Sequence, residues 1–113
     1  RYKEGEDMDK KLLKFSPLTE ASFYILLALN QPNHGYGIIK DVEEMTKERL
    51  KLAPGTLYGV ITTFLKNKLI ELDTVEGSKK KKTYRITPLG KQLLGYEFER
   101  IQEIVRNAKG VLK

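Results

Sequence analysis

The sequence predicts a mostly helical α+β fold: a winged helix-turn-helix followed by one long C-terminal dimerisation helix. Three observations predict it. Between Leu18 and Asn67, three stretches carry apolar residues at helical spacing or in a nearly unbroken run. The period then drops to two around Ile70–Asp73 and Thr83–Ile86, on either side of a lysine-rich turn. A final segment repeats apolar residues every three or four positions to Leu112. The expected division is a flexible start with a short helix over 1–17, a winged-helix domain over 18–87 and a dimerisation helix over 88–113.

Met8, Leu12 and Phe15 fall at i, i+4 and i+7, one face of a short helix. Ser16-Pro17-Leu18-Thr19-Glu20 then places hydroxyls and a proline where a helix begins. The segment that follows, to Leu29, is apolar nearly all round and so needs cover on several sides, as the centre of a core does. Asn30 to Gly35 reads as a loop. A helix from about Tyr36 to Thr46 has Ile38, Ile39, Val42 and Met45 on one face.

Pro54-Gly55 opens the next helix, to about Asn67; proline suits the first position because its missing N–H has no intrahelical partner there. Leu57, Val60, Ile61, Phe64 and Leu65 form its apolar arc. Gly55, Tyr58, Gly59, Thr62, Thr63 and Lys66 lie opposite, on an outer face without a carboxylate. Ile70 and Leu72 alternate with Glu71 and Asp73, and Tyr84 and Ile86 with Thr83 and Arg85, giving two short strands. Lys79, Lys80, Lys81 and Lys82 sit in the turn between them.

Thr87-Pro88 caps the last helix, where Leu94, Phe98, Ile101, Val105, Ala108 and Leu112 are spaced 4, 3, 4, 3, 4 as an a/d seam. At 1.5 Å per residue this helix is ~36 Å long, more than a small domain covers alone. The seam could be an intramolecular stripe, but an overhanging one calls for a second copy of the chain, with Met8, Leu12 and Phe15 placed to join it.

The 113 residues fit one small domain, and no apolar run approaches the roughly 20 residues a membrane span needs. The chain opens with no basic-then-apolar leader, so a cytoplasmic protein is expected. Without cysteine there are neither disulfides nor thiolate metal sites. The net charge is +6. Two cations against four carboxylates leave the first nine residues at −2, so the remainder carries +8. Such a domain attracts polyanions, nucleic acid being the commonest.

A helix face free of negative charge, a helix to brace it and a cation-tipped hairpin are what a duplex reader needs, and they occur here in that order. Each has a plainer reading, as ordinary surface or a solvated lysine loop. Yet surface helices usually carry Glu and Lys, whereas Gly, Tyr and Thr permit close approach and hydrogen bonds to phosphate or base edges. His34, the lone histidine, has no cysteine or carboxylate pair nearby, and no serine has a triad partner within reach, so no catalytic, cofactor or metal site is expected.

Three blocks carry a family resemblance. His34-Gly35-Tyr36-Gly37-Ile38-Ile39, Pro54-Gly55-Thr56-Leu57-Tyr58 and Tyr84-Arg85-Ile86-Thr87-Pro88-Leu89-Gly90 resemble, in order and spacing, the signature segments of PadR-family regulators. The likeness covers roughly Leu18 to Leu112. It implies a homodimeric transcriptional repressor that binds an inverted-repeat operator on double-stranded DNA and is released by a small apolar effector at the dimer interface. It also implies that Tyr36 and Tyr58 contact phosphates, with Gly55, Thr56, Gly59, Thr62, Thr63 and Lys66 in the groove and Lys79 to Lys82 on the wing. Two positions depart from the family. Ala53 stands where many members have a hydroxyl N-cap, a loss of ~1 kcal/mol. The tryptophan on which some members stack flat drugs is absent, Ile101 lying in that region and Phe98 one turn away.

Two other readings stay open on sequence alone. A winged helix can bind RNA or another protein through a basic wing, and a small hydrolase or transferase would need a nucleophile and base in mutual reach.

Overall fold

A computed structural model of the chain describes residues 10–76 and 81–112. Met8, Lys79 and Lys80 therefore lie outside the described residues. The elements run α1 (Lys10–Leu13), α2 (Glu20–Ala28), β1 (Asn33–His34), α3 (Gly35–Met45), α4 (Pro54–Lys66), β2 (Ile70–Glu76), β3 (Lys81–Ile86) and α5 (Pro88–Val111).

Thr19 caps α2 by accepting a hydrogen bond from the Ser22 N–H, as an N-cap hydroxyl should. Ile25, Leu26 and Leu29 are fully buried, but Phe23, Tyr24 and Leu27 are only half-buried, so the cover expected around this helix is incomplete. Ile38 and Val42 of α3 and Leu57, Ile61 and Phe64 of α4 meet α2 in one core with Leu69, Ile70, Ile86 and Leu93. Met45 and Leu65, placed by periodicity on the apolar arcs, are exposed at the ends of those arcs.

α4 ends in a Schellman turn. Leu69 N–H reaches Phe64 O at 2.9 Å and Lys68 N–H reaches Leu65 O at 3.1 Å, with Lys68 at φ 61°. This reversal delivers the chain directly into β2.

The predicted hairpin is present, antiparallel, with a register shift between Leu72 and Thr74. Two features differ from expectation. The strands are longer, so Lys81 and Lys82 belong to β3 rather than to the turn. Asn33 and His34 form a third strand rather than a loop, pairing with Tyr84 and Thr83, and the sheet order is β1-β3-β2. Two residues between Pro32 and Gly35 are too few to show a period, yet they cover the free edge of β3.

Thr87 caps α5, its hydroxyl accepting from Gly90 N–H at 3.0 Å and donating to Lys68 O at 2.8 Å. Gly90 is pressed so closely onto the sheet that a Cβ there would lie 2.1 Å from Leu69 O. Leu93 and Glu97 are completely buried one and two turns further on. From Gln102 onward every described residue of α5 is exposed.

Leu12 corrects one expectation. It is 2% exposed and sits in the chain's own core, so its apolar character is accounted for without a partner chain.

Candidate nucleic-acid interface

On an α-helix each residue advances by about 100°. Across the outer arc of α4 the order is therefore Tyr58, Thr62, Gly55, Lys66, Gly59, Thr63. All six are exposed, as is Thr56. An added Cβ at Gly55 or Gly59 would meet nothing within 4 Å, so nothing in the chain's own packing calls for glycine there. Thr62 donates its hydroxyl back to Tyr58 O at 2.8 Å. Ala53 precedes the helix with no side-chain cap, as the sequence indicates.

At the Tyr58 edge, a groove is lined by His34, Gly35, Tyr36, Tyr58, Lys81, Lys82 and Tyr84. It exists because α3 begins immediately after β1, which is itself paired to β3. Gly35 lets the Tyr58 ring lie against the start of α3, since a Cβ there would be 2.2 Å from the tyrosine oxygen. Tyr36 is 71% exposed and Tyr58 49% exposed, the Tyr58 oxygen lying against Gly35. Tyr84 is buried behind them, and burial, with Tyr58 beside it, pushes its hydroxyl above the ordinary tyrosine value, so it stays protonated and neutral. Among the described residues the groove thus offers hydroxyl donors and two ammonium groups, and no carboxylate.

The remaining cation of the described wing is engaged. Arg85 Nε lies 2.7 Å from Glu71 and its Nη1 3.3 Å from Asp73. Hydrogen bonding to Glu71 comes first among the causes that hold its pKa above the usual arginine value. Lys81 and Lys82 make no ion pair among the described residues, so on the described wing they are the cations open to an external anion.

The second predicted surface is on α5. Phe98 (53% exposed), Val105, Ala108 and Leu112 are exposed, while Leu94 and Ile101 are half-buried. Phe15 is half-buried against the core. Periodicity missed Ile104 and Val111, also exposed, because they lie beside the seam rather than on it. It missed Glu97 too. This wholly buried carboxylate accepts from Ser16 Oγ at 2.5 Å, Leu18 N–H at 2.7 Å, and Arg100 Nη2 and Nε at 2.8 and 3.1 Å. Its spacing of seven from Gly90 and four from Leu93 is the signal that could have found it.

Among the described residues no group of three His, Cys, Asp or Glu could hold a metal ion, and no helix is long and apolar enough to cross a membrane.

Comparison with known proteins gives findings of three kinds. The model of the transcriptional regulator PadR-like family matches residues 25–96. An uncharacterized protein of Lysinibacillus sphaericus is 32% identical over 90 residues, covering 74% of this chain and 82% of that protein. Among solved structures, a PadR family transcription regulator from Clostridium difficile aligns with a TM-score of 0.70 at 23% identity, over 84% of this chain and 100% of that one. Bordetella bronchiseptica BpsR, whose DNA binding is described as regulated by 6-hydroxynicotinic acid, aligns with a TM-score of 0.67 at 22% identity, over 92% of this chain and 74% of that one.

Proposed function

Because the chain belongs to the PadR-like family of transcriptional regulators, which bind DNA and are not enzymes, we propose that it is a homodimeric repressor of an inverted-repeat operator. The observation that carries this reading is the carboxylate-free groove joining Tyr36, Tyr58, Lys81 and Lys82 beside the open outer face of α4. Gly55, Thr56, Gly59, Thr62, Thr63 and Lys66 enter the major groove, where the glycines allow close approach and the hydroxyls reach base edges. Tyr36 and Tyr58 donate to phosphates, and Lys81 and Lys82, together with Lys79 and Lys80, neutralise the flanking backbone. Residues 18–87 are the DNA-binding domain, and 88–113, of which α5 is the described helix, is the dimerisation segment. The protein works in the cytoplasm, where its operator is.

Dimerisation rests on the exposed apolar stripe of α5, which buries Phe98, Ile101, Val105, Ala108 and Leu112 against a second copy. The two α4 helices then stand about 34–36 Å apart, one helical turn of DNA. A small apolar effector held between the α5 helices releases the DNA. The Bordetella neighbour offers a parallel, in that a small molecule regulates DNA binding there.

The test is a binding titration of the upstream region of the protein's own gene against random duplex over a salt series. A repressor prefers its operator by ~10³ or more. Equal affinity for both duplexes would overturn the reading.

A further inference from the structure

The edge of α4 opposite Tyr58 borders a second groove, whose far wall has no role assigned so far. That wall is the segment leading into α2. Gly55, Gly59 and Thr63 line it from α4, and Lys14, Thr19 and Ser22 from the far side. As in the Tyr58 groove, no carboxylate lines it among the described residues. That is not the rule over this surface. Grooves elsewhere around α3 are lined by Glu43, Glu44 and Glu48, or by Asp41 and Glu44. Among the described residues, then, both grooves that flank the outer face of α4 are lined without an acid.

Lys14 is exposed, and its ammonium group is held over the Phe15 ring at 5.4 Å, with Phe15 packed on the core. The segment itself is tied down. Glu97 of α5 accepts hydrogen bonds from Ser16 Oγ and Leu18 N–H, two and four residues after Lys14. A cation on a long side chain normally loses much rotamer freedom on meeting a partner. Here part of that ordering is built into the free protein.

We infer that Lys14, in the groove between the segment before α2 and the Gly55–Gly59–Thr63 edge of α4, is a second phosphate clamp on the duplex. It grips the backbone on the side of the major groove away from the wing. This rests on the proposed reading of α4 as the helix that enters that groove. With one clamp only, α4 could roll about its axis. With cations on both edges, the glycine row faces the base pairs squarely.

The test is a salt series of fluorescence anisotropy titrations with the full chain on a labelled duplex from upstream of its gene. Each lost phosphate contact lowers the slope of log affinity against log salt by about 0.9. Lys14→Ala is expected to lower the slope by that amount, with affinity at low salt falling about five- to tenfold and the thermal melt unchanged. Lys14→Arg should keep both. Lys14→Ala combined with Lys81→Ala should lower the slope by about twice as much, because the two cations meet separate phosphates. If wild type binds with its full salt dependence and Lys14→Ala shows the same slope, the clamp is refuted and the α4 reading stands. If wild type shows no preference for the upstream duplex, both fall together.

Discussion

The outer face of α4 and the far half of α5 are both exposed, yet they are built of opposite materials. α4 offers Gly, Thr, Tyr and Lys, while α5 offers Phe98, Ile104, Val105, Val111 and Leu112, each 45% exposed or more. A hydroxyl-rich face suits a hydrated, charged partner, since protein–DNA interfaces are polar and wet. An apolar stripe on a helix overhanging its own domain suits a partner that excludes water. The contrast teaches that exposure alone does not identify an interface. What is exposed says which kind of partner each surface awaits.

The largest expected effect separates the two surfaces outright. In the proposed dimer, Ile101→Asp buries an unpaired carboxylate, so the dimer dissociation constant should rise by more than about 100-fold. Monomers by analytical ultracentrifugation, with an unaltered helical circular dichroism spectrum, are expected. A persisting dimer would place the interface elsewhere.

Tyr58→Ala removes a hydrogen bond to a charged group and should cost operator affinity about 10- to 100-fold while leaving the dimer intact. Unchanged affinity in a titration would take Tyr58 off the contact surface. Gly59→Ala sharpens the contrast further. Open space surrounds Gly59, so alanine should stabilise the fold by up to ~1 kcal/mol through helix propensity. The same methyl group should weaken operator binding. A rise in Tm without loss of affinity would mean that no duplex approaches this turn.

The smallest effect concerns Glu97. Burial pushes its carboxyl up, but hydrogen bonds from Arg100, Ser16 and Leu18 together outweigh it and hold the group below the usual glutamate value. A folded-state value lowered in this way contributes stability above the unfolded value, about 4.3, and that contribution is lost as pH falls through the folded one. Glu97→Gln should therefore show a flatter decline of Tm with acid below about pH 4.3 than wild type. Parallel declines would show that Glu97 does not contribute to the acid sensitivity.

Most of this architecture was legible. Segments with a clear period, such as Leu57–Ile61–Phe64 and Tyr84–Ile86, declare their buried face because core packing enforces it, whereas Leu72, two residues from the buried Ile70, is exposed. The candidate interface was legible by composition, since nothing about stability asks for Gly55 and Gly59. Three features were not. Asn33–His34 is too short to show a period and exists only because β3 has an edge to cover. Leu12 and Phe15 look alike in spacing, but only the packing shows that Leu12 is taken up by the core. Glu97 reads as surface charge on an amphipathic helix. Its partners, Ser16 and Leu18, stand some eighty residues away, beyond any local pattern. The a/d seam also proved to be one of two neighbouring stripes. Gly90, Glu97, Ile104 and Val111 form the other at strict seven-residue intervals, its first half packed inward and its second half bare.

The root of α5 has a mechanical consequence. At Gly90 the helix rests backbone against backbone on Leu69, with no side chain between them to repack. The helix therefore leaves the head at one fixed angle. In the proposed dimer, two chains joined along α5 act like a caliper with welded jaws, and the span between their tips is set by the crossing of the two shafts. Widening that span requires sliding or twisting one shaft along the other, so the proposed effector has to act on the shared stem and not on either head.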